Sequence, residues 1–423
     1  MESSESFMES LRDRWLDEAK IRVSVGQSGR APSGTSIYLG AYVKGDNYMN
    51  MSGTKPERMQ LDDLHWETST EYNYGADVML FGGRLKFTFD YYQKYIKDLL
   101  QKDYKLPSST GFGSMRYYNS GKMENKGWEF RADAIFWKNK DWQISGYVNL
   151  SRNENRITEL PGNMAQETYE ANNGKYAARV EVGQPVGAFY GYRYLGVYKD
   201  KDATYARDAS GNIMNDVHGK PIVMKNLTKA CQPGDAIYED INHDGVINQY
   251  DIVYLGNYNP VLTGGAGLTV KYKQVSLSAF FHGRFGQSIV NTARMNNESM
   301  YSDDNQSTAV LRRWRNEGDV TDIPRALYKE GYNYLGSDRF VEDASFIRLK
   351  TLTLNYLFPK KICNRLGINT LSCFVTGYNL FTWTNYTGQD PEVEIPTKPT
   401  DLAEDKATTP VSMRFAFGIN LNF

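Results

Sequence analysis

No apolar run in this chain approaches the roughly 20 residues that a membrane-crossing helix needs, and its opening stretch has no apolar core of the kind a secretory signal carries. Net charge is scarce too. The 49 Lys and Arg against 50 Asp and Glu leave −1, so no basic field invites nucleic acid and no acidic one gathers cations. Three cysteines, Cys231, Cys363 and Cys373, are odd in number and too irregularly spaced for a zinc site or a disulfide framework. Of the four histidines, His65, His218, His243 and His282, none sits in a metal-ligand pair at helical spacing or beside a nucleophile elbow. Gly264-Gly265-Ala266-Gly267 lacks the Lys-Ser/Thr of a phosphate loop, and nothing fixes the separation of Asp62-Asp63 or Asp303-Asp304 as glycoside chemistry requires. The expectation is a protein that is not an enzyme.

Alternation is what the chain has in abundance. From Val411 to Phe423 the residues Val411, Met413, Phe415, Phe417, Ile419, Leu421 and Phe423 share one face, while Ser412, Arg414, Ala416, Gly418, Asn420 and Asn422 share the other. Successive strand side chains point to opposite faces, so this is an apolar surface backed by a wettable one, the pattern of a membrane-barrel strand. It recurs at Tyr72 to Leu80, Leu85 to Tyr91, Trp128 to Phe136, Trp142 to Leu150, Leu268 to Tyr272, Val275 to Phe281, Leu352 to Phe358 and Leu371 to Val375. With Ile21, Val23 and Val25 this makes about ten strands, several near the ~9–11 residues that a tilted spanning strand needs. Aromatics make up 13% of the chain, 31 of them Tyr, and Trp137 and Trp142 flank a turn where an interfacial girdle belongs.

Connections alternate in length as well: tight turns at 82–83, 138–141 and 273–274, and long polar segments at about 100–122, 160–262, 287–340 and 384–409. Membrane barrels place short turns on the periplasmic side and long loops outside. The expected fold is therefore all-β: an antiparallel transmembrane β-barrel portion of about ten strands with long extracellular loops and short periplasmic turns. Residues 1–19 are read as a turn or the start of a fragment, and residues 20–423 as the barrel portion. Within one loop, Ser307 to Trp314 reads as a short helix with Val310, Leu311 and Trp314 on one side.

Several stretches in order resemble one family: Leu64-His65-Trp66-Glu67-Thr68; Gly121-Lys122-Met123-Glu124-Asn125-Lys126-Gly127; Pro233-Gly234-Asp235; Arg313-Trp314 with Asp322-Ile323-Pro324-Arg325; Asp343 to Lys350; and Gly377 to Trp383. Together with the closing strand, from about residue 64 to the C-terminus, they resemble the SusC/RagA-type TonB-dependent outer-membrane transporters. The resemblance implies a 22-stranded barrel with a plug, located in the outer membrane among its lipids. It further implies a SusD-like lipoprotein partner, energisation through TonB by way of an N-terminal part, and import of oligosaccharides or peptides. About ten strands cannot close such a barrel, because strand number and diameter are linked. The chain is thus expected to be the C-terminal part of a larger transporter.

One loop points to a metal. Asp240, Asn242, Asp244 and Asp251 occupy positions 1, 3, 5 and 12 of a calcium-type loop, with Gly245 at 6 and the Val246 carbonyl at 7. Ca2+ is the expected cofactor, and a solvated Asx turn is the plainer reading. The aromatic and amide clusters Tyr190 to Tyr194, Tyr332-Asn333-Tyr334 and Trp383 to Tyr386 suit sugar rings; Tyr190, Tyr192, Tyr332, Tyr334, Trp383 and Tyr386 are the substrate candidates, and packing of loops on loops is their alternative role. A soluble secreted β-sandwich that binds carbohydrate with a structural calcium loop is the competing fold.

Overall fold

In the computed structural model, which describes residues 15–49, 51–160, 174–177, 180–396 and 401–423, the alternating segments become one sheet. Its strands are β1 (Leu16–Arg30), β2 (Glu67–Leu80), β3 (Leu85–Lys97), β4 (Lys122–Lys138), β5 (Trp142–Glu159), β6 (Leu262–Tyr272), β7 (Val275–Phe285), β8 (Phe346–Leu357), β9 (Thr370–Thr384) and β10 (Arg414–Asn422). They are hydrogen-bonded in chain order. The chain forms two compact units, one of residues 1–132, 151–165 and 181–185, the other of residues 133–150, 166–180 and 186–423.

Register segregates apolar from polar side chains, with few exceptions. In the first unit Ile21, Val23 and Val25 of β1 oppose Ala76, Tyr74 and Tyr72 of β2, which oppose Phe89, Tyr91 and Gln93 of β3. On the other face Arg22 bonds Asp77 at 2.8 Å and Asp90 at 3.0 Å. Gly75 makes room for that triad, since a Cβ there would lie 2.5 Å from Asp90 Oδ1. In the second unit Leu277 of β7, Leu354 of β8, Val375 of β9 and Phe417 of β10 form one apolar row. Behind it Thr269, Ser278, Thr353 and Thr376 form a row of hydroxyls, joined pairwise at 3.1 Å and 2.9 Å. A one-residue slip would put every hydroxyl on the apolar face.

Four expectations need correcting. β1 begins at Leu16 rather than near Lys20, extending the sheet into the segment read as a turn; residues 1–14 lie outside the described residues. A fifth long connection, 31–66, carries its own hairpin, Ala41–Tyr48 with Met51–Arg58; its polar, Gly-interrupted strands have no apolar face and so gave no alternation signal. A fourth short connection, 358–369, contains a six-residue helix, Lys360–Arg365. Within 287–340 the expected helix is the five-residue 3-10 segment Thr308–Arg312, which buries Val310 but leaves Leu311 exposed. The tight turn after β2 runs through Phe81, Gly82 and Gly83, all at positive φ, a conformation that glycine adopts without a Cβ clash.

Candidate functional site

The long connections of the second unit fold into ordered bodies rather than trailing from the sheet. One core gathers Tyr190, Tyr192, Tyr238 and Ile247, and another gathers Phe189, Val290, Phe340 and Tyr386. The recurrent sequence stretches converge where these connections meet. Asp235 is fully buried and accepts Arg325 Nε at 2.6 Å, Asn333 Nδ2 at 3.3 Å and the Gln232 N–H at 2.8 Å. The Arg325 N–H donates to the Gly234 carbonyl, and the Trp314 ring lies where a Gly234 Cβ would stand, 2.3 Å from its Cε3. Gly234 also has φ +88°, so both backbone and space demand glycine. Pro-Gly-Asp, Arg-Trp and Ile-Pro-Arg are thus three parts of one joint.

A second joint ties the last long connection to the wall. Arg348, almost wholly buried, donates to Asp390, to Glu392 at 2.7 Å and to Thr382 at 2.8 Å, while Lys350 reaches Glu392 at 2.6 Å. Lys350 is free to do so because the register shifts around it: neither β7 nor β9 pairs with it. Buried Gln287 donates to the Ala344 and Pro391 carbonyls, and Glu342 accepts from Arg294, Asn291 and Thr387. Burial pushes the Glu342 carboxyl up, but the Thr387 hydroxyl and amide and the Arg294 guanidinium bring it below the usual range. Asp390 is likewise pushed up by burial and brought net downward chiefly by Arg348.

The calcium-type loop is folded. Asp240 accepts the Asp244 and Gly245 N–H groups, Asn242 accepts the Asp244 N–H and donates to Asp244 Oδ2, and Asp244 accepts the Val246 N–H. Asp251, fully buried, closes the loop by accepting the Ile241 and Asn248 N–H groups. Burial raises its pKa, and the charges of Asp240 and Asp244 add to the rise. Among the described residues no three His, Cys, Asp or Glu side chains are grouped as a metal cage. Any cation here would rest on a mixed set of carboxylate, amide and carbonyl oxygens.

Most of the aromatic candidates serve packing. Tyr190 meets Tyr254 edge-on, Tyr192 packs on Tyr238, Tyr334 meets Tyr301, and Tyr386 donates to Asp405 at 2.8 Å; all four are buried. Tyr332, half-buried, accepts from Arg325 at 3.4 Å and lies beneath Lys229. Trp383 stands opposite Ile347 and close to Phe281 and Phe381, hence on the apolar face. Sequence reading missed Arg348 and Glu392 as a pair because 44 residues separate them.

A family model described as TonB dependent receptor-like, beta-barrel matches residues 10–218. TonB-dependent receptor P3 of Formosa agariphila is 30% identical over 422 residues, spanning 96% of this chain and 39% of that protein. TonB-dependent receptor SusC of Bacteroides thetaiotaomicron is 28% identical over 433 residues, spanning 96% and 38%. The chain belongs to the SusC/RagA-type TonB-dependent receptors, as part of their barrel. It spans about two fifths of the length of these curated relatives. The solved RagAB peptide transporter shares the fold, with a TM-score of 0.74 at 23% identity over 98% of this chain and 42% of that one.

For a TonB-dependent receptor barrel in the outer membrane, the two faces take definite roles. The exposed apolar rows, with Val23 at 66% in the first unit and Phe417 at 77% in the second, are each lipid-facing, and in the second unit Trp142 against Tyr272 and Trp383 beside Phe381 mark the two ends of the row as aromatic girdles do. The soluble-sandwich alternative gives way to the barrel that the family match and the shared fold show. The hydroxyl row and the Arg22 triad lie on the lumen face.

Proposed function

We propose that this chain is the C-terminal wall and outer loop body of a nutrient importer that works with a SusD-like lipoprotein and draws energy from TonB through the N-terminal part of the whole protein. The observation that carries this is the pairing of a lipid-facing apolar face with a pre-organised loop body, held together through Asp235 and tied to the wall through Arg348, at one end of the strands. The importer takes oligosaccharides or peptides. The TonB-dependent receptor relatives and the fold of the RagAB peptide transporter support the same reading. Deleting the gene for the whole protein should abolish growth on one oligosaccharide or peptide source and leave growth on simple sugars and amino acids intact. A tagged whole protein should co-purify an outer-membrane lipoprotein from detergent extracts. Unchanged growth on every oligomeric source, with no lipoprotein recovered, would overturn the proposal.

A separable second proposal is that Asp240, Asn242, Asp244, the Val246 carbonyl and Asp251 hold calcium. The donor set suits a hard cation: each carboxylate keeps lone pairs beyond those engaged by N–H groups, and a bound cation would relieve the mutual repulsion of the three aspartates. Calcium titration of the whole protein should protect the amides of residues 240–251 from hydrogen exchange, with D244N lowering the affinity; equal protection with and without calcium would refute it.

A further inference from the structure

The short connections of the second unit, which face the periplasm in barrels of this kind, carry a lopsided charge. Residues 138–141, 273–274 and 358–369 bring Lys138, Lys140, Lys273, Lys360, Lys361 and Arg365 against the single carboxylate of Asp141, in a chain whose overall charge is −1. Among the described residues none of these cations has an ion-pair partner. The three connections adjoin: the Lys273 N–H donates to the Asp141 carbonyl, and the Leu357 N–H to the Gln274 carbonyl. The longest of them holds the helix Lys360–Arg365. Cys363 and Ile368 are its buried anchors, while Ile362 and Leu366, four residues apart and so on one face, stay exposed. Lys361 and Arg365, also four apart, flank that apolar pair. An uncovered apolar strip beside cations suits the boundary between headgroups and acyl chains. Trp142 with Tyr272 and Tyr356 with Phe358 put aromatic pairs at the same end.

Next to the helix, on the lipid face, lies a groove of about 580 Å³, within the roughly 300–1,000 Å³ range of small-ligand pockets. Register explains it. Cys373 and Val375 of β9 form a floor of short side chains, with Tyr356 and Leu354 of β8 opposite them on one side and Ile419 and Phe417 of β10 on the other. Cys373 is the fourth residue of β9, which starts at Thr370, so at a strand rise of ~3.3 Å the floor begins roughly 10 Å from the connection. That distance falls within one leaflet, whose hydrocarbon is about 15 Å deep. We propose that groove and helix together bind one anionic glycerophospholipid of the periplasmic leaflet, an acyl chain lying along Cys373 and Val375 and the phosphate meeting Lys360, Lys361 and Arg365. A zwitterionic lipid fills the groove equally well but brings a phosphate already balanced by its own amine. The site stands whatever cargo the importer carries.

The test is native mass spectrometry of the full-length protein in nonionic detergent, titrated with phosphatidylglycerol, with phosphatidylcholine of the same acyl chains, and with glycerol 3-phosphate. Phosphatidylglycerol should bind at least about tenfold more tightly than phosphatidylcholine, since each cation beside an anionic headgroup strengthens binding by about fivefold. K360Q/K361Q/R365Q should erase that difference, whereas K138Q/K140Q, on the same rim but beyond the Lys273 turn, should keep it. Cys373→Trp, which fills the groove floor at a lipid-facing position, should weaken both lipids by a similar factor. Retention of the heat-modifiable electrophoretic shift shows that each variant is folded. Equal binding of the two lipids, a preference unchanged in K360Q/K361Q/R365Q or lost equally in K138Q/K140Q, unaltered binding in Cys373→Trp, or displacement of the lipid by glycerol 3-phosphate alone would overturn the assignment.

Discussion

Replacing Arg348 with Met should release the last long connection while leaving the sheet intact. Only 4% of the Arg348 side chain is exposed, and it binds two carboxylates that are themselves 16% and 18% exposed. Removing one member of a buried pair costs about 3–5 kcal/mol, because the other charge is stranded. Here the stranding is partial: Glu392 keeps Lys350 at 2.6 Å, and Asp390 keeps the Glu392 and Val411 N–H groups at 2.9 Å and 3.3 Å. A loss of about 2–4 kcal/mol follows, roughly thirtyfold or more in the local opening equilibrium. Hydrogen exchange on the full-length protein reads this directly: the Thr387 and Asp405 amides, which donate to Glu342 and the Val290 carbonyl, should exchange faster by that factor. The amides of β9 and β10 should not. Unchanged exchange at Thr387 and Asp405 would refute the idea that Arg348 holds the segment, and equal acceleration in β10 would mean that the damage is global.

Acid should loosen the same joint. Glu342 and Asp390 have folded pKa values below their usual ones, so their contribution is present above the unfolded carboxylate range and is lost as pH falls through the depressed values. Exchange at Thr387 measured from pH 6 downward should therefore accelerate beyond the intrinsic pH effect. Gly234→Val should destabilise the loop body by about 2–4 kcal/mol, combining a positive-φ penalty with a clash against Trp314, and protease cutting within 299–335 should report it. On the sheet, Ile419→Lys should cost about 2–4 kcal/mol of folding into lipid bilayers, and Asn420→Lys near zero; urea titrations in vesicles separate the two, and equal costs would mean that the faces are misassigned.

The sequence by itself determined the wall. Strand side chains alternate with a strict period of two, so a membrane strand writes its lipid face into adjacent residues, and Val275, Leu277 and Ala279 or Phe415, Phe417 and Ile419 could be placed without a partner in view. The hairpin turns were legible for the same local reason. Tertiary structure alone decided the loops. The Ala41–Tyr48 hairpin has no apolar face to betray it, Tyr190 and Tyr386 read as accessible aromatics until neighbouring connections closed over them, and Trp383 was assigned to the lipid face only by its register with Ile347. The two joints, Asp235 with Arg325 and Asn333, and Arg348 with Asp390 and Glu392, link residues 42 to 98 positions apart. Charge pairing over such separations leaves no periodic trace in a sequence, because only the folded chain brings the partners within reach.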